Sequence, residues 1–401
     1  MRNALCFTVL GVLCACSAGW AQPSTSSEIA AIRSEIELLV QRLERLEQAQ
    51  GGALDKPAPA AALRQDIPAA QPTVRFSGDL RYRHESINED RETERHRQRI
   101  RGRFGVTADV TDDLRVGLTL ATGDDDPVSA NQTLDGGFDR KSFGVDRAFF
   151  AWQATDSLSF SGGKMPNPFF RPGGHHLIYD GDLNPEGLAL RYNFGSWFTN
   201  FAGLWVEERA AADDSIMLGG QFGYRRRLAS GARLTAGLSY YDYLETRGQT
   251  PFYDGTGNGN RVDAAGNYVS DFNEVELFAE LELMLAERPL TVFADLVRNA
   301  EADGAGRGFA FGATLGKVSG SGTWSAGYVY QDLEADAVVA TFTDSDFGGG
   351  GTDGKGHVLE IKYGLRERWA VGLKYFLNER GRDAGDERDY NRLQADLVFE
   401  Y

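Results

Sequence analysis

Arginines recur at every second position in Arg97-Gln98-Arg99-Ile100-Arg101-Gly102-Arg103-Phe104-Gly105-Val106, with Ile100, Gly102, Phe104 and Val106 on the other parity. The preceding run, from Val74, sets Arg75, Arg81 and Arg83 against Val74, Phe76, Leu80 and Tyr82 in the same way. As a flat run of charge this looks like a nucleic-acid patch. The chain carries 42 Lys and Arg against 58 Asp and Glu, a net charge of -16, which argues against a nucleic-acid partner. On strands, alternate residues share a face, so the same arginines form a ladder of guanidiniums whose chemistry is electrostatic: it attracts and orders anions. The opposite charge has its own ladder, Glu274, Glu276, Glu280 and Glu282, on one parity of Glu274 to Leu283.

Catalysis has little to build on. The histidines are His84, His96, His175, His176 and His357, and only His175 and His176 are neighbours. Adjacent residues on an extended chain point to opposite sides, so joint metal ligation is not expected. No motif marks a Ser–His pair, and the Asp124-Asp125-Asp126 run and the segment Asp344 to Asp353 lack Ca²⁺-loop spacing and read as solvated acidic loops. No catalytic residue, metal or cofactor is expected. Cys6, Cys14 and Cys16 all lie near the N-terminus, so a chain cleaved after them has no thiol, which suits export through the periplasm.

The elements that must position the two ladders are strands. Leu393, Ala395, Leu397, Phe399 and Tyr401 alternate with Gln394, Asp396 and Glu400 at the C-terminus, and the pattern recurs back to about Val74. Residues 1–21 carry Arg2, an apolar stretch and small residues before a cut after Ala18 or Ala21, a secretory signal peptide. A lipoprotein box at Leu13 to Cys16 is the alternative. Beyond it no apolar run approaches the roughly 18 to 20 residues of a helical span. Exported alternating strands without such a helix predict an all-β fold over 74–401, a transmembrane antiparallel β-barrel of about 16 strands. Short turns such as Thr111 to Asp113 and Gly195-Ser196 alternate with long polar loops such as Asp124 to Ser142 and Glu334 to Gly356, as in barrels with periplasmic turns and external loops. A lipid-facing Arg at mid-membrane costs about 2 to 4 kcal/mol, so Arg81, Arg83, Arg97, Arg99, Arg101 and Arg103 belong inside. The acidic ladder falls on the tenth strand, opposite the second, and a basic wall facing an acidic one would set up a transverse field. The last strand should close on Val74 to Arg83.

Between signal and barrel, Ile29, Ile32, Ile36, Leu39, Leu43 and Leu46 recur at spacings of three and four, predicting a periplasmic coiled coil over 28–48, about 30 Å long. The segment Arg42 to Glu47 resembles the Arg-apolar-x-x-apolar-Glu pattern of trimeric coils; an amphipathic helix on the membrane is the alternative. Residues 49–73, rich in Ala and Pro, read as a linker.

The loop from Met165 to Pro185 is stiffened by prolines, and Phe169, Phe170, Leu177, Ile178 and Tyr179 need something to pack against. It is expected to fold into the barrel and narrow it, bringing Asn167, Arg171, His175, His176, Asp180 and Asp182 to a constriction. At these residues the chain resembles bacterial outer-membrane porins, and more closely the Putative porin family with an N-terminal coiled coil. The stretches that carry the resemblance are Phe76 to Arg81, Asp125 to Leu134, Gly163 to Phe169 and Leu183 to Leu188. It implies a trimeric, water-filled barrel in the outer membrane, among lipid and lipopolysaccharide, for passive diffusion of small hydrophilic solutes and ions. An anion-selective pore of the phosphate type and a structural tether through the coiled coil are the alternatives. Porins usually end in Phe; this chain ends in Tyr401, which keeps the aromatic.

Overall fold

Alternation is what the chain folds on. The computed structural model describes residues 72–210 and 212–401; the signal peptide over 1–21, the coiled coil over 28–48 and the linker as far as residue 71 lie outside the described residues. Seventeen strands follow one another: β1 Thr73–Glu89, β2 Arg95–Asp109, β3 Leu114–Thr122, β4 Gln132–Thr133, β5 Phe143–Gln153, β6 Leu158–Lys164, β7 Glu186–Phe194, β8 Trp197–Glu207, β9 Ser215–Arg227, β10 Arg233–Tyr243, β11 Phe272–Leu285, β12 Arg288–Asn299, β13 Arg307–Gly316, β14 Trp324–Leu333, β15 Gly354–Arg366, β16 Trp369–Arg380 and β17 Arg388–Glu400. β4 is a two-residue fragment on β2; the other sixteen form one antiparallel sheet in which β17 pairs with β1. Closure leaves no edge of unpaired backbone groups, the condition for crossing a bilayer with strands.

The closing register differs in detail from the expected one. β17 pairs with Asp79 through Glu89, from Asp79 opposite Glu400 to Glu89 opposite Tyr390, while the first residues of β1 pair only with β2. The strand stagger that a tilted barrel requires moves the contact up the strand. Tyr401 finishes the seam: its N–H donates to Gly78 O at 3.1 Å and its hydroxyl to Arg103 O at 2.9 Å.

One parity of each strand is apolar and exposed, with Phe76, Leu80, Tyr82, Leu118, Leu277, Ile361 and Leu373 among the exposed residues, the face that meets lipid. The other parity faces the lumen, and there the two halves of the barrel differ. Along β6–β14 the interior is dry: Met165, Phe169, Leu177 and Tyr179 from the loop 165–185, Phe252 and Tyr268 from 244–271, and Ala337, Val338 and Val339 from 334–353 pack with Met217, Tyr241, Tyr243, Phe272 and Phe293 of the wall. β8 and β9 alternate weakly in sequence for this reason. A Cβ at Gly219 would stand 2.4 Å from Phe169 Cζ, so β9 is built small at this point to receive the loop. Acidic residues that read as a solvated loop are buried instead: Asp344 and Asp353 lie under the packed segment 334–353, whose run Ala335 to Phe342 supplies the apolar surface.

Candidate functional site

The other half of the lumen, lined by β1, β2 and β15–β17, is charged. Register fixes its composition. On consecutive inward rungs β1 and β2 set Asp79 opposite Arg103, Arg81 opposite Arg101, Arg83 opposite Arg99 and Glu85 opposite Arg97. Two rungs of Arg facing Arg therefore lie between two rungs of opposite charge, and like charges directly opposite destabilise a sheet unless counter-charges reach them. They do so from three directions. Asp79 accepts from Arg103 at 2.6 Å and from Arg101 at 3.0 Å. From β17, Asp396 takes Arg83 in a two-point contact at 2.6 and 2.7 Å, while Arg392 pairs with Glu85 at 2.5 Å. Glu85 also receives Arg97 at 2.7 Å.

The third source is the loops. Asp346, from 334–353, lies 3.1 Å from Arg83 and 2.7 Å from Arg392. Asp182, from 165–185, lies 3.4 Å from both Arg101 and Arg103. Burial by itself would raise these two carboxyls; Arg392 and Arg83 hold Asp346 well below the usual carboxylate range, and Arg101 and Arg103 hold Asp182 below it. Arg81 is the exception in the ladder. Its Nη2 donates to Asn131 Oδ1 at 2.6 Å, its buried Nε has no partner, and it pairs with no carboxylate. Arg99 comes no nearer than 3.8 Å to Glu85, and its Nε is likewise buried without a partner.

The loop 165–185 leaves β6, crosses the lumen and returns. Asn167 Oδ1 accepts from Phe169 N–H at 3.0 Å and turns the chain inward. Phe169 then meets Tyr241 of β10 edge-on, with ring centroids 4.9 Å apart, and the Phe170 backbone N–H donates to Gln221 Oε1 of β9 at 2.7 Å while Gln221 Nε2 donates to Phe170 O at 2.9 Å. Arg171 turns back on its own loop and donates to Tyr179 O at 3.1 Å. Gly173, in the left-handed region with φ 62°, donates its N–H to Glu280 of β11 at 2.7 Å. No side chain fits there, since a Cβ would lie 2.2 Å from Phe293. His175 Nε2 meets Gln331 Oε1 of β14 at 2.8 Å. On the way back, Asp180 N–H donates to Phe342 O at 2.8 Å and the Asp180 carboxylate accepts from Ser345 N–H at 3.1 Å. Burial lowers His175 and His176 to about 4 and raises Asp180 well above its ordinary value, with Asp344 adding to the rise.

The acidic ladder lies beneath these loops and does not face open water. Glu274 and Glu276 are buried; Glu274 accepts from Val339 N–H at 3.0 Å and Glu276 from Tyr241 Oη at 3.1 Å. Glu280 holds Gly173 as described, and Glu282, at the partly exposed end of the strand, pairs with Arg233. Thus β2 and β11 stand opposite each other in the closed sheet, but the carboxylates that reach the basic wall come from β1, β17 and two loops, not from β11. Sequence reasoning missed Asp79, Glu85, Asn131 and Asp346 as its partners. It also missed the inward course of 334–353, for which the apolar run Ala335 to Phe342 was the available signal.

Water has room along the ladder. A cavity of about 770 Å³ is lined by Arg81, Arg83, Arg101, Asn131, Asp182 and Ser345 among others. A second, of about 350 Å³, is lined by Arg97, Arg99, Ser129, Arg392 and again Ser345.

A family model described as Putative porin matches residues 82–265 and 261–397. No curated protein matches the chain. Among solved structures it is similar to OprB of Pseudomonas putida in its high-pH form, with a TM-score of 0.57 and 10% identity over 82% of this chain and 94% of that one. It is also similar to a triple mutant of the porin of Rhodopseudomonas blastica, with a TM-score of 0.50 and 10% identity over 82% of this chain and 100% of the other. At such identities the likeness is one of fold.

Proposed function

Since the chain belongs to the Putative porin family, we propose that it is an outer-membrane porin, a water-filled channel for passive diffusion of small hydrophilic solutes and ions. The loop 165–185 is its constriction, and the conducting path is an off-centre slot between the loops and the guanidinium ladder. The observation that carries this reading is the route of the loop: anchored on β9, β10, β11 and β14, then tied to β2 through Asp182, it blocks one side of the lumen and stops at the arginines. Ser345 lines both cavities. Arg81, Arg83, Arg97, Arg99, Arg101 and Arg103 line the slot. Glu274, Glu276 and Glu280 act on it through the loops they hold. The protein assembles as a homotrimer, and the periplasmic coiled coil expected from the sequence over 28–48 would help to join the subunits. In planar bilayers, purified trimer should give ohmic conductance steps; a folded barrel that inserts without conducting would refute the reading.

A specific observation favours anion preference as a second reading. In the web of contacts around the ladder, six guanidiniums, Arg83, Arg97, Arg99, Arg101, Arg103 and Arg392, meet five carboxylates, Asp79, Glu85, Asp182, Asp346 and Asp396, while Arg81 meets only the amide of Asn131. The slot is therefore locally positive although the whole chain is acidic, and local charge decides what enters a narrow path. Its test is the sign of the reversal potential in a salt gradient.

A further inference from the structure

We propose that His176, Asp180 and Asp344 form a binding site for a divalent transition cation, Zn²⁺ being the probe of choice, that links the loops 165–185 and 334–353 inside the lumen. Among the described residues these three offer an imidazole nitrogen and two carboxylate oxygens that all lie within 4.8 Å of one another. Two come from one loop and one from the other, so an ion held by the trio joins two segments of chain far apart in sequence.

The two carboxylates are what call for a cation. Asp180 and Asp344 are each 6% exposed, and among the described residues neither forms an ion pair with a Lys or Arg. Their neighbours are backbone amides: Asp180 accepts from Asp182 N–H at 2.7 Å and from Ser345 N–H at 3.1 Å, and Asp344 Oδ1 accepts from Asp346 N–H at 2.8 Å. These bonds orient both groups, as outer-shell contacts orient metal ligands. Asp344 Oδ2 receives no hydrogen bond; the group facing it is His176 Nδ1, at 3.9 Å, too far to bond and on the side where an ion would sit. Two buried carboxyls side by side are costly to ionise together, and a divalent ion removes that cost where a single hydrogen bond would not.

Space and ligand type agree with this. Gly181 leaves the approach clear, since a Cβ there would lie 2.8 Å from His176 Nε2. All three side chains line the 770 Å³ cavity, so the ion has an entry path and water for its remaining positions. Tetrahedral zinc, with bonds of about 2.0 to 2.2 Å, sets ligand atoms about 3.3 to 3.6 Å apart, so the trio must close by about 1 Å through side-chain rotation. An imidazole beside two carboxylates suits Zn²⁺ and its transition-series neighbours, whereas Ca²⁺ and Mg²⁺ favour all-oxygen sets.

The inference about binding is independent of conduction; only its consequence for current rests on the porin reading. The experiment is calorimetric titration of detergent-solubilised, metal-stripped full-length trimer with Zn²⁺, alongside Asp344→Asn, His176→Ala and, as a control on β15, His357→Ala. Heat-modifiable gel mobility confirms that each variant is folded. One ion per chain is expected, weakened roughly tenfold or more by either site substitution and unchanged in the control. Titration with Co²⁺ should add the visible absorption of a low-coordinate site in the wild type, which Asp344→Asn abolishes. Absence of binding, or binding equal in all four folded proteins, overturns the site. Specific binding with silent bilayers keeps the site and refutes the pore; an ohmic channel without specific binding does the reverse.

Discussion

Asn260 offers a direct way to test whether the loops inside the barrel set its conductance. Its side chain, 5% exposed on the segment 244–271, donates to Ala335 O at 2.7 Å and Val338 O at 2.8 Å, and accepts from Ala340 N–H at 2.8 Å. One amide thus satisfies three backbone groups of 334–353, the segment that brings Ser345 and Asp346 to the basic wall. Asn260→Ala removes all three bonds and leaves Val338 O and Ala340 N–H without partners, while Ala335 O keeps Thr352 Oγ1 at 2.7 Å. At about 1 kcal/mol for each bond, the packed arrangement loses about 3 kcal/mol against an undocked one, roughly a hundredfold in their ratio. The strands keep their ladders, so the barrel still assembles. Single-channel recordings should then show excess open-channel noise and brief excursions to higher conductance, as Val338 and Val339 leave their packing. Trypsin applied to intact cells should cut after Arg261, which Asp336 holds at 2.7 Å in the docked state. A folded variant with wild-type current noise and a wild-type digestion pattern would refute the claim that this anchor holds the segment in the lumen.

Replacing Arg99 and Arg101 by Glu reverses two charges on the conducting face; the reversal potential in a tenfold salt gradient should move toward the cation limit, and an unchanged value would put the ladder outside the path. Acidification should loosen the loop 165–185: burial lowers His175 and His176 to about 4 in the folded state, so the unfolded chain binds more protons between about 6.5 and 4, and that part of the stability is lost as pH falls through this window. Asp180, whose carboxyl burial and Asp344 raise, works the other way, binding its proton sooner when folded. Conductance noise recorded from pH 7 to pH 4.5 measures the balance, and His175→Gln should flatten the acid side. Deleting Glu28 to Gln48 should weaken the trimer on native gels without closing the pore, and an unaltered trimer would refute a role in assembly for the coiled coil expected there.

Much of this was legible in the sequence because a strand repeats every two residues and a bilayer enforces the repeat. Period-two alternation gives the number of strands, the faces, the polarity of turns and loops, and the inward side of Arg97 to Arg103, since the wrong side of a membrane strand is costly for charge. The apolar content of 165–185 announced that this loop would not lie in water. The rest depended on contacts that have no period. Register put Arg81 opposite Arg101 and Arg83 opposite Arg99, a pairing that exists only once the turn after β1 has set the stagger. Closure decided that Asp396, some three hundred residues away, meets Arg83 and that Arg392 meets Glu85. Packing decided the fate of the acidic strand: Glu274 and Glu280 read as a wet face, but in the folded chain backbone amides of two loops take their place against it, because buried carboxylates require donors and the loop amides require acceptors. A one-dimensional pattern fixes which side of a strand is wet, whereas what occupies the wet side is a property of three-dimensional neighbours.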